Sequence, residues 1–284
     1  MKTWIIGARL RTLPAAIAPV VVASALAANN FSPLPALLAL CVSLSLQIGV
    51  NFANDYSDGI RGTDSVRVGP TRITAAGLAS PKAVKRAAFI SFSLAALAGL
   101  VLAAMTTWLL ILIGVLAIIA AWGYTGGKNP YGYLGLGEIF VFIFFGVVAT
   151  VGSYYVQVEK LNLEVFIASA SMGAFACALL AINNLRDLKQ DAKVGKRTLA
   201  VRLGDTNARN FFIALILFGY ITGIAVSFPY GLITLLTLPI SVPLLKAVRA
   251  GAEGSELIPL LARTGKLQLV FAITFTAAIL LEQI

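Results

Sequence analysis

Five of the twelve acidic residues gather in two short stretches that are also rich in asparagine. The first runs Asn51-Phe-Ala-Asn54-Asp55-Tyr56-Ser57-Asp58-Gly59-Ile60-Arg61-Gly62-Thr63-Asp64, the second Asn183-Asn184-Leu185-Arg186-Asp187-Leu188-Lys189-Gln190-Asp191. On a helix Asn51, Asp55 and Asp58 fall at i, i+4 and i+7, and Asn54 with Asp58 adds another i, i+4 pair. Asn183, Asp187 and Asp191 repeat the pattern at i, i+4 and i+8. Each stretch therefore lines one helix face with carboxylates and amides. Asn, Asp and Gly also end helices for backbone reasons alone, so one such stretch would be an ordinary cap. Two alike are harder to obtain that way. Carboxylates near a helix C-terminus repel one another and oppose the dipole, which favours cations there, so the pattern implies a bound cation.

The kind of cation follows from the donor set. The chain has no histidine, and Cys41 and Cys177 both lie in apolar stretches. Carboxylate and amide oxygens suit Mg²⁺ rather than zinc or copper. Mg²⁺ takes one or two protein carboxylates and completes its shell with water and substrate phosphate oxygens. The expected metal ligands are Asp55, Asp58, Asp64, Asp187 and Asp191. Asn51, Asn54, Asn183 and Asn184 stand beside them as substrate contacts. Arg61, Arg72, Lys128, Arg186 and Lys189 are candidate phosphate contacts, and Arg67, Lys193, Lys196 and Arg197 are close by in sequence.

The elements that must hold these groups are membrane helices. Of 284 residues, 59% are apolar and only 12% charged, far from the roughly one quarter charged in a soluble domain. Nine stretches are long enough to cross a hydrocarbon core about 30 Å thick. They are Thr12 to Ala28, Pro33 to Asn54, Ala83 to Ala104, Trp108 to Tyr124, Tyr133 to Val156, Leu163 to Leu185, Ala208 to Phe228, Leu232 to Val248 and Leu267 to Leu281. The two acidic stretches thus close spans two and six. The expectation is an all-α membrane protein, residues 1–284 forming a single transmembrane domain.

The net charge of +10 sits in short gaps between apolar stretches, not on one amphipathic surface, which argues against a nucleic-acid partner. With the N-terminus in the cytoplasm, every Lys and Arg except Lys160 falls on the cytoplasmic side. That asymmetry predicts the orientation and an odd number of spans, with both acidic stretches facing the cytoplasm. A cleaved signal peptide is the competing reading of the first segment, but the charge alternation works only if that segment stays. No disulfide framework is indicated.

Asn54-Asp55-x-x-Asp58 and Asp187-x-x-x-Asp191 resemble the two signature motifs of the UbiA superfamily of intramembrane prenyltransferases. Asp64 follows Asp58 by six residues, where the hydroxybenzoate branch has four. Ala8-Arg-Leu-Arg-Thr-Leu-Pro14, Gly62-Thr63-Asp64, Tyr124 through Gly135-Leu-Gly-Glu138, Phe144-Phe-Gly146 and Asn183 through Gly204 are similar to the 1,4-dihydroxy-2-naphthoate branch. The resemblance implies a nine-helix bundle around a central cavity. It also implies Mg²⁺-dependent transfer of a polyprenyl chain from its diphosphate onto 1,4-dihydroxy-2-naphthoate. CO₂ and diphosphate would be lost, and demethylmenaquinol formed for menaquinone or phylloquinone synthesis in a bacterial cytoplasmic membrane.

In that reaction the metal would neutralise the leaving diphosphate. The apolar interior would shield the allylic cation from water. Glu138, an acid adjoining the hydrocarbon, is a catalytic candidate, although an acid also suits a helix N-terminus. Tyr124 is a candidate contact for diphosphate or acceptor, with an interfacial tyrosine as the alternative. A different aromatic acceptor such as 4-hydroxybenzoate is the main competing substrate. An ion-coupled transporter is the competing class, disfavoured because both acidic stretches lie at one face and no inverted repeat is evident.

Overall fold

The computed structural model describes residues 2–62 and 69–284, so Asp64 and Arg67 lie outside the described residues. All regular structure among the described residues is helical. In chain order the helices are α1 (Lys2–Ala8), α2 (Pro14–Ala27), α3 (Pro33–Arg61), α4 (Pro81–Met105), α5 (Leu109–Gly123) and α6 (Gly137–Val141). They continue with α7 (Ala149–Val158), α8 (Leu163–Lys193), α9 (Leu199–Val226), α10 (Leu238–Arg249) and α11 (Leu257–Glu282). A π-helical turn over Phe142–Val148 joins α6 to α7, and a 3₁₀ segment over Tyr230–Thr237 leads into α10.

Local chemistry sets these boundaries. Proline, whose fixed φ suits the first helical turn, opens α2, α3, α4 and α10. Ser80, Asn162 and Thr198 cap α4, α8 and α9 by accepting the N–H groups of Ala83, Val165 and Val201. Gly62 ends α3 in the left-handed region, at φ 72°.

Seven helical segments are long and apolar enough to span a membrane, or eight if α1 and α2, bent by 55°, count as one broken span. The expected span Trp108 to Tyr124 is a 15-residue helix, α5. At 1.5 Å per residue it reaches about 22 Å, short of a full hydrocarbon core. The chain is an integral membrane protein whose outer faces on α4 and α5 present Leu94, Leu97, Leu112 and Ile119 outward. Two expected spans are longer than the apolar run alone suggested: α3 continues past Asn54 to Arg61, and α8 past Leu185 to Lys193. The first acidic stretch is therefore helical as far as Arg61, and the second is helical throughout.

The packing has one dominant core centred on α8, the most buried long helix, where Met172, Phe175, Phe212, Phe271 and Phe275 meet. Small residues allow close approach there: a Cβ on Gly146 would sit 2.6 Å from Gly173 Cα, so the π-helical turn and α8 touch backbone to backbone. A second core of Phe52, Ile73, Val84 and Phe92 joins α3 and α4 to the segment after residue 69. The acidic end of α3 rises from this second core and that of α8 from the first.

Candidate active site

The end of α3 distributes its polar groups among four neighbours. Asn51, one turn below the others, donates to Ala8 O at 2.8 Å and Thr12 Oγ1 at 3.0 Å, and its Oδ1 accepts from Gln47 Nε2 at 3.2 Å. Arg9 adds a bond to the Asn51 carbonyl at 3.2 Å. These contacts strap the N-terminal segment onto α3. Asn54 Oδ1 accepts from Thr125 Oγ1 at 2.7 Å, tying α3 to the loop after α5. The Arg61 guanidinium donates to the carbonyls of Thr125 and Gly127 in the same loop.

The two aspartates of this motif have different surroundings. Asp55 is fully buried, and its carboxylate oxygens accept the backbone N–H groups of Ile73 and Thr74 at 3.0 and 2.8 Å. Asp58 accepts the Tyr133 hydroxyl at 2.8 Å and faces Arg72 Nη2 at 3.8 Å. Asp58 is thus turned toward groups from two other segments, while the Asp55 carboxylate serves a backbone.

On α8, Arg186 grips Asp187 through Nε and Nη2 at 2.8 and 2.6 Å, and Nη2 also reaches Asn183 Oδ1 at 2.9 Å. This fork-on-carboxylate geometry is the strong, directional form of ion pair. The other guanidinium nitrogen, Nη1, is buried with no partner among the described residues. Asp191 faces Lys196 Nζ at 3.7 Å. Asn184 donates to Glu138 Oε1 at 2.9 Å, and Cys177 Sγ donates to the Glu138 carbonyl at 3.1 Å. Glu138 is 5% exposed, and its second oxygen, Oε2, has no partner among the described residues.

Tyr133 joins the two motifs. Its hydroxyl holds Asp58, and its ring lies under Arg61 Cζ at 5.3 Å and under Lys196 Nζ, the partner of Asp191, at 5.1 Å. Its carbonyl accepts Arg197 N at 3.0 Å, fixing the segment beyond α8 against it. Sequence reading missed Tyr133, because it is one of eight tyrosines with no motif spacing of its own. The same segment begins an aromatic series: Tyr124 lies 5.6 Å from Tyr131, which stacks on Phe140 at 4.0 Å, which in turn stacks on Phe144 at 6.3 Å. Burial pushes the Tyr131 phenol above its usual range, so it stays neutral and donates to Ala120 O at 2.8 Å.

The structure therefore brings together Asp58, Arg61, Arg72 and Asn54 from one side with Asp187, Asp191, Asn183 and Arg186 from the other, and Glu138 with Asn184 next to them. Burial above all, and then the nearby charges of Glu138, Asp58 and Asp191, push the Tyr124 phenol well above its usual range. Lys189 is not brought in: it is exposed and pairs with Glu253 at 2.5 Å. Lys128 is exposed on its loop. Asn51 faces the N-terminal strap, and Asp64 lies outside the described residues.

Among the described residues no three acidic or thiol groups converge as a ready metal cage. Asp58, Asp187 and Asp191, each beside a cation, fit Mg²⁺ that shares its shell with phosphate oxygens. The orphaned donor of Arg186 fits an anion at the same place.

A model of the UbiA prenyltransferase family matches residues 16–252. A 1,4-dihydroxy-2-naphthoate octaprenyltransferase of Mycobacterium tuberculosis is 46% identical over 99% of this chain and 98% of its own length. One of Escherichia coli K12 is 38% identical over 99% and 96%. In fold, a UbiA homologue from Aeropyrum pernix K1 matches with a TM-score of 0.71 at 16% identity, covering 97% of this chain and 99% of that one. A UbiA homologue from Archaeoglobus fulgidus, bound to GPP and Mg²⁺, matches at 0.69 and 16% identity, covering 98% and 99%. The motifs on α3 and α8 lie inside the matched region, and the chain belongs to the UbiA prenyltransferase family.

Proposed function

We propose that this protein transfers a polyprenyl chain from polyprenyl diphosphate to 1,4-dihydroxy-2-naphthoate, releasing diphosphate and CO₂ and forming demethylmenaquinol. The observation that carries the site assignment is the Tyr133 bridge, which gathers Asp58 of one motif and the Lys196–Asp191 pair of the other at one end of the bundle. The acceptor assignment is supported by relatives of that activity at 36–46% identity over nearly the whole chain.

Asp55, Asp58, Asp187 and Asp191, with Asp64 by its motif position, would hold Mg²⁺, which when bound neutralises the diphosphate and eases its departure. Arg72, Arg186 and Arg61 bind its oxygens, while Asn183 steadies the Arg186 guanidinium and Asn54 ties α3 to the loop after α5. The allylic C–O bond breaks with its electron pair on the diphosphate, and the ring carbon bearing the carboxylate forms the new C–C bond. The adjacent ring hydroxyl gives its proton to Glu138 Oε2, which has no partner among the described residues, while Asn184 holds Oε1. The C–CO₂ bond then breaks, its electron pair returns to the ring, and the ring oxygen regains a proton. The Tyr131, Phe140 and Phe144 rings shield the allylic cation from water.

The bundle has nine spans, counting the bent α1–α2 pair and the short α5, with the N-terminus and the site on the cytoplasmic side of a bacterial inner membrane. Basic residues around the motif ends support that orientation. The test offers purified protein a polyprenyl diphosphate and a panel of aromatic acids, with and without Mg²⁺, and identifies products by mass. A prenylated naphthoquinol formed only with Mg²⁺ is expected. Its absence under every condition refutes the assignment, and a prenylated 4-hydroxybenzoate alone would move it to that acceptor.

A further inference from the structure

We infer that the outer face of α4 is a docking groove for one anionic phospholipid, whose phosphate pairs with Lys82 and Arg86 and whose acyl chain lies along Phe89, Ile90, Ser93 and Leu94. The inference stands apart from prenyl transfer, and the groove shares no residue with either acidic motif. A groove of about 350 Å³ is lined by Arg86, Phe89, Ile90, Ser93 and Leu94. Helix α4 packs its other faces on α3 and α5, while Ile90 and Leu94, 62% and 51% exposed, open outward.

Charge marks one end of the groove. No Asp or Glu occurs between residues 65 and 137, so α4 and α5 carry no acid of their own. Lys82, Lys85 and Arg86 stand on the first two turns of α4, and none has a carboxylate partner among the described residues. Lys85 is engaged elsewhere: its ammonium lies 5.6 Å from the Tyr56 ring, 5.8 Å from Trp122 and 6.0 Å from Phe89, turned toward α3 and α5. Lys82 and Arg86 are exposed, and Ile90, Ser93 and Leu97 follow them at helical spacing on the same outer face.

Below the charges the stripe is apolar. At 1.5 Å per residue it descends about 16 Å from Arg86 to Leu97, half of a hydrocarbon core of about 30 Å and so the depth of one leaflet. Phe89 forms a fixed wall, 5.2 Å from Trp122 and edge-on to Phe92 at 6.3 Å. Ser93, the small residue between Ile90 and Leu97, leaves the notch. A free phosphate would use the two cations and none of this stripe, whereas a phospholipid in the leaflet on the motif side uses both.

The test counts lipid bound to the full-length protein in detergent by native mass spectrometry, titrating phosphatidylglycerol or phosphatidylcholine with the same chains. One phosphatidylglycerol should bind at least about tenfold more tightly than phosphatidylcholine. Each Lys or Arg at an anionic surface contributes about fivefold, so Lys82→Ala with Arg86→Ala should weaken phosphatidylglycerol about thirtyfold. Ser93→Phe keeps both cations but fills the notch, and should weaken both lipids. Equal binding of the two lipids by the wild type, or unchanged binding in either variant, overturns the inference. Displacement of phosphatidylglycerol by an equimolar polyprenyl diphosphate gives the groove to the donor, and a lipid-free dimer gives it to a second copy of the chain; both overturn it. Should a variant fail to fold, the wild type in bilayer nanodiscs decides. Brominated phosphatidylglycerol should quench tryptophan emission more than brominated phosphatidylcholine at the same mole fraction, because Trp122 lies against Phe89, and equal quenching refutes the groove.

Discussion

Replacing Tyr133 with phenylalanine removes one hydroxyl and leaves the ring beneath Arg61 and Lys196, which makes it the most economical probe of the bridge between the motifs. The lost contact is a 2.8 Å bond to Asp58, a carboxylate only 3% exposed. Hydrogen bonds to charged groups contribute about 1.5–3 kcal/mol, and 1.4 kcal/mol corresponds to about a factor of ten. Arg72 remains at 3.8 Å from the same carboxylate and offsets part of the loss, so the lower end applies. The expected result is a fall of about tenfold in kcat/KM for the prenyl donor. Tyr133→Leu also removes the ring from under two cations, each contact being worth about 0.5–2 kcal/mol, and should cost about a further tenfold. The assay is steady-state turnover in detergent at saturating acceptor, with thermal unfolding followed in parallel. Equal rates for the phenylalanine and leucine variants would refute the cationic bridge, and a phenylalanine variant within twofold of wild type would refute the role of the hydroxyl.

Glu138→Gln keeps an acceptor for Asn184 but cannot take a proton, so kcat should drop by about a hundredfold or more while acceptor KM changes little; a kcat within threefold of wild type removes Glu138 from proton transfer. Gly146→Ala drives a methyl group to 2.6 Å from Gly173 Cα and should destabilise the bundle by about 1–3 kcal/mol, seen as a lower unfolding temperature in detergent; an unchanged temperature would mean that the π-helical turn relaxes freely. Lys189→Ala breaks only an exposed pair with Glu253, so turnover should stay within about twofold, and a large loss would return Lys189 to the site.

Spacing alone disclosed the two acidic helix faces, because a 3.6-residue period maps residue number onto direction. It could not divide labour along a face. Asn51, Asp55 and Asp58 share their face as expected, yet one straps the N-terminus, one holds a backbone segment and one meets Tyr133 and Arg72. Those partners are 43, 18 and 75 residues away in sequence, a matter of tertiary packing that no local period encodes. Tyr133 was illegible for the same reason, and Lys189 looked useful only because it sits between Asp187 and Asp191. Hydropathy gave nine crossings where seven or eight helical segments are long and apolar enough to span, because it measured apolar length rather than helix length; it overran at α5 and stopped short at α3 and α8.

That last discrepancy has a functional reason in the physics of the proposed donor. At 1.5 Å per residue the 29 residues of α3 and the 31 of α8 extend about 44 and 46 Å, against a hydrocarbon core of about 30 Å. The surplus, on the order of two to three turns, carries Asn54 to Arg61 and Asn183 to Asp191. A polyprenyl diphosphate is a charged head on a hydrocarbon tail, and a charge at the centre of a bilayer is costly. A motif within the apolar run would have to pull the head into hydrocarbon, and a motif on a mobile loop would lose the fixed spacing between carboxylates. Helices that continue rigidly out of the membrane satisfy both demands. In the proposed reaction they would hold the acids and Arg186 at the height of the head group, while α6, the π-helical turn and their aromatic rings would receive the tail below.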